Sequence, residues 1–346
     1  MLLSLAEGHA LVTARYHAGR TLGISLSNAT LITIYGGSGF IGRHVVRALA
    51  KTGTRMRVAV RRPDLAGHLQ PLGGVGQISA VQANVRFPDS LLAPAKGADA
   101  VINLVGILAP SGRQTFKAVQ EEGARHVAEA ARAAGAKAFV HVSAIGADAK
   151  SPSIYARTKA VGEAAVKQVL QEAVILRPSV VFGPEDDFFN RFAALARLSP
   201  ALPLIGGGKT AFQPVFAGDV ARAVIASLTG KAQAGAVYEL GGPEVLTMKE
   251  VMQRVLTYTM RKRWLVPLPF PLSKLQGAIL QWLPNPPLTL DQVRLLESDN
   301  VVSVAAKRDG RTLEGLGIAE PVAVEAVVPD YLEQYRPKGQ FSNYQP

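Results

Sequence analysis

The sequence predicts an α/β chain: a doubly wound parallel sheet followed by a smaller carboxyl-terminal α/β subdomain. Two observations carry this prediction. Between residues 31 and 177, short apolar and β-branched runs alternate with helical patterns, as parallel βαβ units with right-handed crossovers do. The first run breaks into glycines at 36, 37, 39 and 42 and opens at once into a helical pattern. A third observation marks the limit of the regular part. Beyond residue 183 the alternation loosens into glycine- and proline-rich segments.

The elements follow in order. Residues 31–35 are apolar and β-branched, and form the first strand. Residues 43–50, Arg43-His-Val-Val-Arg-Ala-Leu-Ala50, form the first helix. Strands are expected at 56–60, 78–82 and 100–105, the last bounded by Gly106. An alanine-rich helix is expected over 114–134, stopped by Gly135. A fifth strand at 138–142, a helix at 154–171 and a sixth strand at 173–177 complete the regular alternation. In the loop-rich stretch 183–214, which carries Gly206-Gly-Gly208, residues 212–216 start a short strand. Asp219 is the expected N-cap of a helix over 220–229. A strand at 237–240 precedes the Gly241-Gly-Pro243 turn, and a helix covers 247–260. An apolar helix over 272–283 lies among prolines 267, 269, 271, 284, 286 and 287.

Strand, glycine turn and helix in that order read as a nucleotide site on a Rossmann-type sheet. Gly36 allows the tight turn, Gly39 the approach of main chain to a pyrophosphate, and Gly42 the close packing of helix on strand. Gly37, Ser38, Phe40 and Ile41 complete the turn. The helix start offers N–H groups and a positive dipole to the phosphates. The second strand ends in Arg61-Arg62, where an NAD-selective domain places an acid for the ribose 2′-hydroxyl; Asp64 lies beyond Pro63. Two guanidinium groups suit a 2′-phosphate. NADP(H) is therefore favoured over NAD(H), which stays the alternative. The boundaries that follow are an extension over 1–28, a dinucleotide-binding domain over 29–240, a subdomain over 241–330 and a tail over 331–346. Residues 184–214 are assigned to the substrate side.

Tyr155-Ala-Arg-Thr-Lys159 puts a phenol and an ammonium on one face of a helix. An ammonium beside a phenol favours the phenolate, so the Tyr155 pKa is expected to be lowered. Such a tyrosine can exchange a proton with a carbonyl or alcohol oxygen. Ser143, at the end of the preceding strand, can hydrogen-bond the same oxygen.

On these residues the chain resembles an extended, atypical short-chain dehydrogenase/reductase. Gly36, Gly39, Gly42, Ser143, Tyr155 and Lys159 match the motifs of that family, as does Leu176-Arg-Pro-Ser-Val-Val-Phe-Gly-Pro184, and the resemblance covers about residues 30–330. It implies that Asn84 and Val85 flank the adenine. It places Leu104, Val105 and Gly106 along the ribose and nicotinamide, and Pro178, Val180 and Val181 at the nicotinamide border. Lys159 would also hold ribose hydroxyls. A narrower resemblance rests on 101–108, 159–163, Phe182-Gly-Pro-Glu-Asp-Asp187, 267–271, Leu288-Thr-Leu-Asp-Gln-Val293 and Asp299-Asn-Val-Val302. These segments are similar to the nucleotide-binding accessory subunits of proton-pumping NADH:ubiquinone oxidoreductase, respiratory complex I, and their alphaproteobacterial relatives. That resemblance implies a tightly held, structural NADPH and peripheral-arm subunits of complex I as partners. It places the chain peripherally on the inner membrane near the quinone site: the cytoplasmic face in a bacterium, the matrix side in a eukaryote. One departure is visible. Active dehydrogenases of the wider family often carry an Asn on the helix after strand four, and Gln120 stands at that place.

Composition narrows the partners. The 346 residues, 48% hydrophobic, can bury a sizeable core, and no cysteine is present for disulfides, thiol nucleophiles or thiolate metal sites. The six histidines show no paired ligand spacing, so no metal is expected. A net charge of +12 favours anionic partners. Aromatics at 6%, not interleaved with basic residues, argue against nucleic acid. No apolar run is long enough for a transmembrane helix. Residues 1–28 read as a disordered extension, with a transit-like start as the alternative. Arg261-Lys-Arg-Trp264 and the apolar stretch through Leu283 fit a bilayer surface or lipid, a partner groove, or equally a helix packed on the sheet. The leading expectation is an accessory nucleotide-binding subunit; the rival is a working NADP(H)-dependent reductase, dehydratase or epimerase using Tyr155, Lys159 and Ser143.

Overall fold

A computed structural model describes residues 21–283 and 288–339. Seven strands form one parallel sheet: β1 Leu31–Tyr35, β2 Arg55–Val60, β3 Ile78–Gln82, β4 Ala100–Asn103, β5 Ala138–Val142, β6 Val174–Pro178 and β7 Val237–Leu240. Their order is β3-β2-β1-β4-β5-β6-β7. The strands are apolar on both faces because both faces are covered. Ile32, Ile34, Ile102, Val140 and Leu176 point to one layer, with α1 (Phe40–Ala50) and, further along the chain, the helix Ala217–Leu228. Tyr35, Val101 and Phe139 point to the other, with α2 (Glu122–Ala133) and α3 (Ile154–Val169). A fully buried Leu49 or Val140 stabilises this sandwich by about 1.5–3 kcal/mol through apolar burial. The chain leaves β1 toward β2 on one side and returns to β4 on the other. That reversal opens a crevice at the carboxyl ends, where ligands of such sheets bind.

A second unit follows. It comprises α4 (Phe189–Leu198), α5 (Ala217–Leu228, which also covers the sheet), α6 (Met248–Tyr258), α7 (Phe270–Leu280) and α8 (Leu290–Leu295). A parallel pair of strands, Ala201–Ile205 and Trp264–Leu268, lies beside them. Phe182, Phe189, Leu246, Val251, Val324 and Val328 form one of its cores. α6 begins with a reciprocal cap in which the Thr247 hydroxyl accepts from Glu250 N while the Glu250 carboxylate accepts from Thr247 N.

Several expectations need correcting. The 183–214 stretch is not mainly loop, since it contains α4 and a strand. Residues 212–216 are not one strand. Ala211–Phe212 pairs antiparallel with Leu246–Thr247, and Val215–Phe216 pairs parallel with Val181–Phe182. Pro214, which has no N–H, stands between them. The helix expected from 114 opens with a π-helical turn over Lys117–Glu121 before α2. Asp219 is not an N-cap. The chain passes straight from Val215–Phe216 into α5, so Asp219 falls in the first turn and is buried. There its carboxylate accepts from Arg222 Nη2 at 2.7 Å and Val322 N at 2.7 Å. Residues 1–20 of the expected extension, the prolines at 284, 286 and 287, and residues 340–346 of the expected tail lie outside the described residues. Thr21–Gly23 belongs to the fold and pairs antiparallel with Thr229–Gln233, while Ile24 and Leu26 pack on the core.

Candidate nucleotide site

The glycine turn joins β1 to α1 as its spacing requires. Gly36 sits at φ +82°, a conformation that a Cβ disfavours. A Cβ at Gly42 would fall 2.6 Å from the Gly36 carbonyl oxygen and from Gly37. The turn and the start of α1 therefore pack too closely for a side chain at Gly42, as the close packing of helix on strand requires. α1 carries no acid in its first turn and no side-chain cap at Gly39, so its positive end is left for an anion. Gly37 and Ser38 line the turn, and Phe40 and Ile41 begin the helix. The Phe40 ring lies 3.1 Å from where a Gly183 Cβ would stand, which brings the segment after Val181 against the turn.

The remaining predicted residues lie at neighbouring strand ends. Arg61 and Arg62 follow β2. Arg62 forks onto Asp64, with Nε to Oδ1 at 2.9 Å and Nη2 to Oδ2 at 2.6 Å. The Arg62 guanidinium holds the Asp64 carboxyl below its ordinary range. Arg61 is exposed and unpaired among the described residues. Asn84 and Val85 follow β3, where Ala83 N donates to Val60 O at 2.9 Å. Leu104 N donates to Tyr35 O at 2.9 Å, and Val105 Cγ2 lies 3.1 Å from a Gly36 Cβ position. Gly106 in turn faces the Lys159 Nζ at 3.3 Å from its own Cβ position. Pro178 ends β6 and accepts from Ile145 N at 2.9 Å, while Val180 N donates to Asn300 Oδ1 at 3.0 Å.

Lys159 reaches the end of β5, next to Ser143 in the chain, and lies beside the Tyr155 ring. Ser143 follows β5, and its buried Oγ has no hydrogen-bond partner. Lys159 Nζ donates to Val142 O at 3.4 Å and lies 5.9 Å from the Tyr155 ring centre. Phe116 meets that ring edge-on at 5.8 Å. Burial dominates the electrostatics. It pushes Tyr155 up to about 12, so the expected lowering by Lys159 is overturned. It pushes Lys159 down to about 8, against the opposing carboxylate of Glu163. A neutral phenol beside a buried ammonium can donate a proton to an oxygen, but it is a poor base at neutral pH.

Further residues brace these elements, and of them only His141 carried no signal in the sequence. His141, 2% exposed, sits within 3.2 Å of Asn103 Nδ2 through its Nδ1, and burial with nearby Lys159 pushes its pKa down to about 3. Glu185 accepts from Arg43 Nη1 at 2.8 Å, tying the 183–188 loop to α1. Gln120 has both ends of its amide engaged: Nε2 donates to Ile107 O at 2.7 Å, and Oε1 accepts from Thr158 Oγ1 at 2.9 Å.

Comparison with known proteins shows the family and the fold. The NAD dependent epimerase/dehydratase family matches residues 32–241. The chain is 35% identical to the mitochondrial NADH dehydrogenase [ubiquinone] 1 alpha subcomplex subunit 9 of Arabidopsis thaliana, across 92% of this chain and 81% of that protein. It is 39% identical to a ceramide reductase of Caulobacter vibrioides, across 51% of this chain and 54% of that one. Among solved structures, an NADPH-dependent quinone oxidoreductase of Escherichia coli complexed with NADPH superposes with a TM-score of 0.67 at 19% identity, covering 87% of this chain and 99% of that chain. That likeness is one of fold.

Proposed function

The chain belongs to the NAD dependent epimerase/dehydratase family, and to the branch of NADH dehydrogenase alpha subcomplex subunit 9, and from that premise we propose that it is an accessory subunit of proton-pumping NADH:ubiquinone oxidoreductase that holds NADP(H) as a structural ligand. The observation that carries the structural role is Gln120. At the place of the relay Asn, its amide is anchored inside the chain, with Nε2 donating to Ile107 O and Oε1 accepting from the Thr158 hydroxyl. The high Tyr155 pKa points the same way. NADP(H) over NAD(H) is supported by Arg61 and Arg62, with Asp64 neutralised by Arg62 rather than offered to a 2′-hydroxyl. Gly36–Gly42 would hold the pyrophosphate, Asn84 and Val85 the adenine side. Lys159 would hold the ribose hydroxyls, with Leu104–Gly106, Pro178, Val180 and Val181 around the nicotinamide. The bound nicotinamide would supply hydride chemistry; the residues of the chain bind, orient and exclude water.

We place the partners on the peripheral arm of the complex, at the inner membrane: the cytoplasmic face in a bacterium, the matrix side in a eukaryote. Support comes from the surface over 261–283. Trp264 is 78% and Trp282 85% exposed, and Lys262, Leu272, Leu275 and Ile279 in the same stretch of chain are exposed as well. Tryptophan, apolar side chains and cations together suit an anionic lipid surface. No helix of the described residues is long and apolar enough to cross a membrane.

A second reading is an NADP(H)-dependent reductase, dehydratase or epimerase, with a lipid or quinone carbonyl as substrate. It is favoured by the unpartnered Ser143 hydroxyl beside Lys159 and by the ceramide reductase relative. In that reading Tyr155 is the proton donor, Ser143 anchors the oxygen and Lys159 holds the ribose. Replacing both Arg61 and Arg62 by alanine separates ligand from assembly. The subunit reading expects weaker NADPH retention, a lower melting temperature and poor incorporation into the complex. Unchanged values for all three would remove its basis.

A further inference from the structure

The first turn of α3, which carries Tyr155, has no acidic residue of its own. Its charge complement arrives from 136 positions away. Asp291, in the first turn of α8, accepts from Ile154 N at 2.6 Å through Oδ1. Its Oδ2 accepts from Tyr155 N at 3.1 Å and from the Ser153 hydroxyl at 2.9 Å. Ser153 is the N-cap of α3, and its Oγ accepts in turn from Ala156 N at 3.3 Å. One carboxylate thus satisfies two backbone donors and fixes the hydroxyl that satisfies a third. A negative group at this end also complements the helix dipole. Arg294, one turn further along α8, donates to Pro152 O at 3.3 Å, so α8 grips the turn before the helix from two directions.

α8 is itself held in place. The Thr289 hydroxyl accepts from Gln292 N at 3.2 Å and the Gln292 amide oxygen accepts from Thr289 N at 3.1 Å, which fixes the turn that aims Asp291. α7 lies against the start of α8 so closely that a Cβ at Gly277 would come within 2.9 Å of Leu290 N. Lys274 on α7 and Glu297 after α8 pair at 2.7 Å. Asp291 is therefore the end of a braced arm that presses on the helix of Tyr155 and Lys159.

We propose that Asp291 is a positioning residue of the nucleotide site: the carboxyl-terminal arm, acting through this carboxylate, sets the first turn of α3 and with it the placement of Tyr155 and Lys159. This rests on the reading of the crevice as an NADP(H) site. Lys159 is one turn beyond Tyr155 and reaches both Val142 and Gly106, so a frayed first turn displaces the ammonium from the strand ends it must share with the ribose. Charge-assisted bonds to main chain are worth enough that losing them should weaken NADPH binding at least about tenfold.

The test uses the full chain, NADPH titration and amide hydrogen exchange. Asp291→Ala should weaken NADPH about tenfold or more and speed exchange over residues 153–159. Asp291→Asn should fall between it and the parent, and it carries the same comparison should the alanine variant fail to fold. Gln292→Ala, which loosens the cap that aims Asp291 but keeps its carboxylate, should weaken NADPH clearly less than Asp291→Ala does. NADPH affinity unchanged in Asp291→Ala, or weakened equally in Gln292→Ala, overturns the proposal. Should the parent chain bind neither NADPH nor NADH, the nucleotide reading fails instead. The exchange measurement then decides the role of Asp291 alone: unaltered protection over 153–159 refutes it.

Discussion

Burying Lys159 against the end of β5 puts two opposite demands on its ammonium. The folded chain holds its pKa near 8 instead of 10.5, so between those values the unfolded chain binds the proton more readily. Stability of the nucleotide-free protein should therefore rise with pH from about 8 toward 10.5 through this group. NADPH affinity, which uses the charged form, should fall over the same interval. Lys159→Met should flatten both trends, which calorimetry and nucleotide titration can check side by side. His141 works at the acid end. Its folded pKa near 3 lies below the ordinary 6.5, so the stability it confers is complete above 6.5 and is lost as pH falls toward 3. Denaturant melts of His141→Gln between pH 4 and 7 should show a shallower acid slope than the parent. Tyr155→Phe removes only the phenol oxygen. The subunit reading expects NADPH affinity within a few-fold of the parent, whereas a working reductase would lose turnover by orders of magnitude. The glycine turn between β1 and α1 was legible because turn chemistry and spacing carry it. The pKa of Tyr155 was not, since four-residue spacing reports a neighbour and says nothing of the burial that outweighs it.

At the level of elements, the sheet was readable and the connections after β6 were not. Strands such as Leu31–Tyr35, Ala100–Asn103 and Ala138–Val142 stand where their apolar runs lie, because a strand buried on both faces leaves an uninterrupted signal. Two-residue strands separated by Pro214 leave no such trace; their pairing is decided by partners 34 positions away, as Phe216 is by Phe182. The same holds for the loop over 183–188. Asp186 is buried there and accepts from Gly183 N at 3.2 Å, Phe188 N at 2.9 Å, Asn190 N at 3.1 Å and the Tyr331 hydroxyl. A single carboxylate joins the start of α4 to the carboxyl-terminal segment, so Asp186→Ala strands three main-chain donors in a buried place. It should destabilise the chain by about 3–5 kcal/mol, read from the urea midpoint at unchanged slope. A midpoint that does not move would show that the latch is dispensable. Gly42→Ala forces a Cβ onto the Gly36 carbonyl and should weaken both fold, by about 1–3 kcal/mol, and nucleotide binding.

Taken whole, the chain is tied together where Asp291 of α8 bonds the first turn of α3. The long-range bonds of Asp291 and Asn300 knit the carboxyl-terminal segments onto the nucleotide half, and neither could be read from a sequence in which they lie more than a hundred residues from their partners. The exposed arm surface should confer binding to vesicles containing anionic lipid; replacing Trp264 and Trp282 by serine should abolish it without lowering the melting temperature, since both rings lie outside the core. The central claim is retention of NADP(H) within a respiratory assembly, and native purification from the source membrane tests it most directly. The chain should co-migrate with NADH:ubiquinone oxidoreductase activity and release about one NADP(H) per chain on denaturation. A chain that migrates apart from that activity, or that arrives without nucleotide, would contradict it.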